Sequence, residues 1–160
     1  MKSIIKILIL LFLIFSVSCA LTKAQADEFL KVHNDYRSGE GASNMLKMSW
    51  SNELQKTAQA YADQCKGLTH SKTKGVGENI WVGTMAMVPT AVVKAWFDEK
   101  NLISNWGSPP TLTNAVFNKG VGHYTQIVWA NSGALGCGYN ACPGKKWPIV
   151  VCNYKKQGNI

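Results

Sequence analysis

The chain carries a single arginine, Arg37, and only three histidines, His33, His70 and His123, among 160 residues. HExxH and G-x-S-x-G, which mark zinc-protease helices and hydrolase nucleophile elbows, are both absent. Asn-x-Ser/Thr is also absent, so N-glycosylation is not expected. There is no internal repeat, no low-complexity linker and no basic stripe; only Lys145-Lys146 and Lys155-Lys156 are paired. Gripping a phosphate backbone takes clustered Lys and Arg, so nucleic acid is not an expected partner. Charged residues are 16% against 46% apolar, the reverse of a disordered composition. The uninterrupted apolar run at 7–15 falls short of the roughly 20 residues that span a bilayer.

Lys2 and Lys6 precede the centre of that run and small residues follow it, the pattern of a secretory signal. Two cleavage points fit, after Ala20 (Ser18-Cys19-Ala20) and after Ala24 (Thr22-Lys23-Ala24). Residues 1–24 then read as signal and 25–160 as one secreted domain, with no transmembrane span after cleavage. Cutting after Ala24 removes Lys2, Lys6 and Lys23 and lowers the net +8 by three, leaving weak attraction to acidic surfaces. Cys65, Cys137, Cys142 and Cys152 remain, an even number that suggests disulfides in an exported chain. Spacing leaves their three pairings open. A zinc finger is disfavoured, because four residues separate Cys137 from Cys142 and no His follows at finger spacing.

Helical periodicity is read at 25–37, where Phe29, Val32, His33 and Tyr36 share a face. A second helix starts near Ser51, an N-cap, buries Leu54, Ala58, Tyr61, Ala62 and Cys65, and stops at Gly67. A third begins at Pro89 and aligns Val92, Ala95, Trp96 and Glu99. The period then changes. The runs at 124–129 and 149–154 read as strands, with further strands at 135–140 and 80–83. Gly133, Gly136, Gly138, Pro143, Gly144 and Pro148 read as turn markers, and 101–122 as a long ordered loop. Helices first and strands last predict an α+β fold with an antiparallel sheet.

Glu99 stands out because it extends a stripe that should face the core, and an unpaired buried carboxylate is costly. Glu78 lies in Gly77-Glu78-Asn79 at a strand mouth, and His123 opens another predicted strand. With His70 they would offer two nitrogens and two carboxylates, a set suited to zinc or a similar divalent ion, or to acid–base work. Spacing does not bring the four together; taken singly they read as ordinary structural residues. Ser71 is a nucleophile candidate only by adjacency to His70.

GHYTQIVW at 122–129 and VCNY at 151–154 resemble the two signature motifs of the CAP superfamily, which includes cysteine-rich secretory proteins, insect venom antigens and pathogenesis-related plant proteins. His33-Asn34 with Arg37 resembles the family's HNxxR, the segment ending at Trp50 its LxW, GENI at 77–80 its GENL, and Trp96-Phe97-Asp98-Glu99 its WxxE. The resemblance implies a three-layer α-β-α sandwich with a central antiparallel sheet and an open cleft. It implies that His70, Glu78, Glu99 and His123 form the cleft tetrad and a divalent-metal site, that His33 is structural, and that Cys65 pairs with Cys142 and Cys137 with Cys152. The second pair would contribute about 3 kcal/mol on the loop-entropy model. Asn79, Tyr124 and Gln126 become cleft-side candidates. The family's cysteine-rich C-terminal module is not seen, so channel block is not expected, and little chain remains after CNYKKQGN to be released as a peptide.

The functional expectation is a secreted, non-enzymatic binding module acting in defence or host interaction. Its expected partners are a sterol or fatty acid, an extracellular protein, or an acidic surface. Trp81, Met85 and Met87 lie in an apolar run that could line a lipid site or simply pack. The alternative is a secreted peptidase or other hydrolase assisted by a metal at the tetrad.

Overall fold

The computed structural model describes residues 20–84, 86–104 and 111–160. Residues 1–19 of the expected signal, and Met85, lie outside the described residues. Helix α1 (Lys23–Gly39) starts ahead of its apolar stripe because Thr22 and Gln25 cap it reciprocally. The Gln25 N–H donates to Thr22 Oγ1 at 3.2 Å, and the Thr22 N–H donates to Gln25 Oε1 at 2.9 Å. Strand β1 (Ser49–Trp50) leads into helix α2 (Asn52–Ala62), whose cap is Ser51 as expected. That helix ends at Asp63, ahead of the predicted stop at Gly67.

Strand β2 (Gly77–Val82) precedes helix α3 (Pro89–Phe97), which tightens into a 3₁₀ turn at Asp98–Leu102. Helices α4 (Asn114–Phe117) and α5 (Gly122–Ile127) follow, then strands β3 (Ala134–Asn140) and β4 (Ile149–Lys155).

Two readings are corrected here. The run at 124–129 is no strand, since 124–127 belong to helix α5 and 128–129 follow it; Tyr124, Thr125, Gln126 and Ile127 are all buried, so the segment shows neither period. The stretch 101–122 is not simply a loop, since it contains α4 and the end of the 3₁₀ turn.

The sheet runs β1-β3-β4-β2. The pairs β3–β4 and β4–β2 are antiparallel, and β1 adds two residues in parallel along β3. Helix α2 covers one face; α1, α3 and α5 cover the other. The central strand β4 feeds both cores by alternation. Val150, Cys152 and Tyr154 join Phe29, Val92, Val93 and Trp96 on one side, while Ile149 and Val151 join Ala58, Tyr61 and Ala62 on the other. Gly136 and Gly138 are not turn residues but the contact surface for α2. A Cβ at Gly136 would lie 2.2 Å from the Gln55 nitrogen, and one at Gly138 2.4 Å from that of Gln59.

Both disulfides implied by the resemblance are present, Cys65–Cys142 and Cys137–Cys152. His33 is structural, as implied. It is fully buried, Nδ1 bonds to the Phe29 carbonyl at 2.7 Å and Nε2 to the Tyr154 hydroxyl at 2.9 Å. Burial holds its pKa at about 4, so the ring is neutral. Arg37, 1% exposed, donates to the carbonyls of Leu46, Ile127, Trp129, Ala130 and Ser132, and so ties α1 to the segment leaving α5. Five carbonyls satisfy a buried guanidinium without a carboxylate; burial lowers its pKa to about 10.

Candidate functional site

The edge strand β2 organises the four candidate ligands into two pairs. Glu78 leaves β2 on the α2 side, as does Ile80, which packs against Tyr61 and Ala62. Its Oε1 meets His70 Nδ1 at 2.9 Å and accepts the Ser71 N–H at 2.8 Å. The Glu78 side chain is 7% exposed and that of His70 is 55% exposed. Burial alone would raise the Glu78 pKa, but the bonds from His70 and Ser71 outweigh it and hold the carboxyl below its ordinary value. The same bond raises the His70 pKa, against partial burial.

The second pair lies on the other face of the sheet. Asn79, next along β2, donates through Nδ2 to the His123 carbonyl at 3.1 Å. Glu99 sits in the 3₁₀ turn, two residues beyond α3. Its Oε2 accepts the His123 N–H at 2.9 Å and the Tyr124 N–H at 3.1 Å, and its Oε1 meets His123 Nδ1 at 2.6 Å. The stripe therefore delivers Glu99 to the start of α5, where a carboxylate meets unsatisfied N–H groups. The His123 ring stacks on Trp96, with centroids 5.8 Å apart and planes 25° from parallel.

Among the described residues no three His, Cys, Asp or Glu side chains are grouped as a metal ion would require. The donor chemistry still fits a borderline divalent ion. Each imidazole commits Nδ1 to a carboxylate, as a metal-bound His usually does, and so keeps Nε2 available for an ion. Glu78 Oε2 is buried without a hydrogen-bond partner among the described residues.

The remaining candidates are dispersed. Ser71 Oγ is 3.0 Å from Thr73 Oγ1 and makes no hydrogen bond to His70. Gln126 is 2% exposed; its Nε2 donates to Ser132 Oγ and its Oε1 accepts the Gly158 N–H, so it clasps the C-terminal segment and does not face a cleft. Trp81 and Met87 are partly buried and pack against the core of α1 and α3. The Trp81 ring lies over Gly83, where a Cβ would be 2.0 Å from it.

Tyr124, a cleft-side candidate, lines a groove of about 600 Å³ whose other walls, among them Glu40, Lys100, Ile103, Leu112, Val128 and Trp129, the sequence did not outline. Tyr124 donates to Glu40 Oε2 at 2.8 Å, and burial raises its pKa. The only sequence signal for this groove was the aromatic content of GHYTQIVW, since its other walls come from distant segments.

A sheet covered by α2 on one face and α1, α3 and α5 on the other, with two cross-linked cysteine pairs and this His/Glu set along one edge, defines a CAP domain. The chain belongs to the cysteine-rich secretory protein family (CAP), which matches it over residues 30–154. It is 34% identical over 144 residues to cysteine-rich venom protein VAR8 of Varanus acanthurus, covering 84% of this chain and 70% of that protein. It is 37% identical over 142 residues to human (Homo sapiens) cysteine-rich secretory protein 3, covering 82% and 56%. The chain thus spans from just over half to seven tenths of these relatives.

Among solved structures, NaASP2 with Zn²⁺ is 34% identical with a TM-score of 0.74, covering 90% of this chain and 85% of that one. BmVAL-1 is 29% identical with a TM-score of 0.76, covering 88% and 80%. No described helix is long and apolar enough to cross a membrane. The two disulfides fit an extracellular protein.

Proposed function

We propose that the chain is a secreted, non-enzymatic binding module whose His/Glu cleft takes zinc or another divalent cation. The observation that carries this reading is the pairing of both imidazoles, through Nδ1, with a carboxylate: His70 with Glu78 and His123 with Glu99. Glu78 and Glu99 orient the rings, and the Nε2 atoms hold the ion. A bound ion supplies fixed positive charge beside the β2 edge. The relative solved with Zn²⁺ supports the choice of ion. Isothermal titration with zinc tests it. Wild type should bind at pH 7.5 and release near pH 5.5, because a ligating His must be neutral. Unchanged zinc affinity in a His70→Ala, His123→Ala variant sinks the reading.

Two details extend it. A sterol or fatty acid has two apolar places to choose from, the Trp81–Met87 run and the 600 Å³ groove. The apolar walls of the groove, Ile103, Leu112, Val128 and Trp129, favour the latter. A fluorescent sterol displaced by Trp129→Ala but not by Met87→Asp would support that choice. An acidic partner surface is favoured by Lys72 and Lys74, which line the groove beside His70 and Glu78, and by Lys56 and Lys66, which line the adjoining one. Either partner suits a role in defence or host interaction.

The hydrolase reading is not favoured. The Ser71 hydroxyl is engaged with Thr73 and has no His base. Peptide libraries should remain intact with zinc supplied.

A further inference from the structure

The Asn of VCNY has no role in the site above, yet its environment is unusual. Asn153 is 1% exposed, and neither Oδ1 nor Nδ2 has a hydrogen-bond partner among the described residues. Among the described residues one further buried side-chain atom has no partner, Glu78 Oε2. These atoms belong to one locus. Glu78 on β2 and Gly136 on β3 are both registered directly against Asn153 on β4. Strand alternation sends Asn153 to the α2 face, because Ile149 and Val151, at the same parity, pack under α2. Glu78 leaves β2 on that face too, so the two side chains are cross-strand neighbours.

The roof is α2. At Gly136 a Cβ would collide with the Gln55 nitrogen and with Leu54. Leu54 is buried and apolar, and the Gln55 Oε1 is engaged by the Trp50 indole N–H at 3.0 Å. No protein donor from this roof bonds to either orphan residue. A buried polar atom left without a partner carries its full desolvation penalty, so three together call for a guest. One small guest satisfies them together if it donates twice and accepts once. A water molecule does this, whereas a cation serves the oxygens and leaves Nδ2 orphaned.

We propose that Asn153 is a positioning residue for the His70–Glu78 pair, acting through one buried water that donates to Glu78 Oε2 and Asn153 Oδ1 and accepts from Asn153 Nδ2. The water pins the outer carboxylate oxygen, so that Oε1 stays aimed at His70 Nδ1 and the Ser71 N–H. The positioning role rests on the metal-cleft reading; the hydration site does not.

Two measurements separate these. In the wild-type protein, the Asn153 Nδ2 protons should show cross-relaxation to a long-lived water, and magnetic relaxation dispersion should count one internal water fewer in Asn153→Leu. Absence of that water signal, or a direct Nδ2–H to Glu78 Oε2 bond in a high-resolution crystal structure, overturns the proposal. A bound cation at the locus overturns it too. For positioning, Asn153→Leu should weaken zinc binding about tenfold. Asn153→Ser, which keeps a donor and acceptor and leaves room for water, should restore most of it. Equal losses in both variants with unchanged unfolding midpoints overturn the positioning role. If wild type binds no zinc, the metal reading fails while the water signal still decides the hydration site. Should Asn153→Leu fail to fold, Asn153→Ser alone must retain both the water and the zinc affinity.

Discussion

The two His–Glu pairs use the same side chains in different settings. Glu99 gathers three bonds, two from backbone N–H groups at the start of α5 and one from the His123 ring, and that ring lies against Trp96. Glu78 gathers two, both on one oxygen, and its histidine sits on a loop with 55% of its side chain exposed. The first pair is part of how α5 is attached. The second is a strand residue reaching a loop. A candidate site can therefore be half scaffold and half adjustable contact, and the halves should fail differently.

The largest expected effect is at Glu99. Glu99→Ala strands two backbone donors and should destabilise the fold by about 3 kcal/mol in urea unfolding, with Glu99→Gln recovering part of the loss because an amide oxygen still accepts. Glu78→Ala should cost about 1 kcal/mol, since it strands one backbone donor, the Ser71 N–H, where Glu99→Ala strands two, and its histidine is half exposed to water. Equal losses at the two positions would erase the distinction between the pairs.

Smaller still is the pH dependence of the exposed pair. The Glu78 bond, against partial burial, raises the His70 pKa above 6.5. The stability it contributes is complete below 6.5 and is lost as pH rises through the folded value. Glu78, held below 4.5 despite its burial, contributes fully above 4.5 and loses that contribution as pH falls through its own folded value. Both contributions are complete together between 4.5 and 6.5. Solvent screening at His70 keeps the effect on stability small, so the check is an NMR titration. Glu78→Gln should bring the His70 midpoint down toward 6.5, and no movement would mean that the pair does not form in solution.

A last, separate comparison concerns the amino-terminal cut. Leu21 is 8% exposed within the core, and Thr22 caps α1. Cleavage after Ala24 would remove both; cleavage after Ala20 keeps them. N-terminal sequencing of secreted protein should begin at Leu21. A protein starting at Gln25 should be about 2 kcal/mol less stable, from a lost cap and a lost buried leucine.

Wherever one face of an element is buried, the reading from residues located it. Phe29 and His33 mark α1, Ser51 starts α2 and Pro89 opens α3. Where burial has no period only composition is left, which found β4, buried from Ile149 to Tyr154, and misled at α5. Tyr124 to Ile127 are buried in succession, so a helix looked like a strand. Gly136 and Gly138 looked like turns because close approach of a helix leaves no mark except a missing side chain. Of the site, the four residue identities came from the resemblance, while their partners did not.

Amphipathic elements, their caps, the export-compatible cysteine set and the family are legible in the residues alone. These are encoded locally, as side-chain spacing against a backbone of fixed repeat. Folding is what brings Glu99 to the start of α5, sets Glu78 against Asn153 beneath α2, and stands the two histidines on either side of an edge strand. A side chain's partner depends on which distant backbone is brought to it, and that is a property of the whole packing.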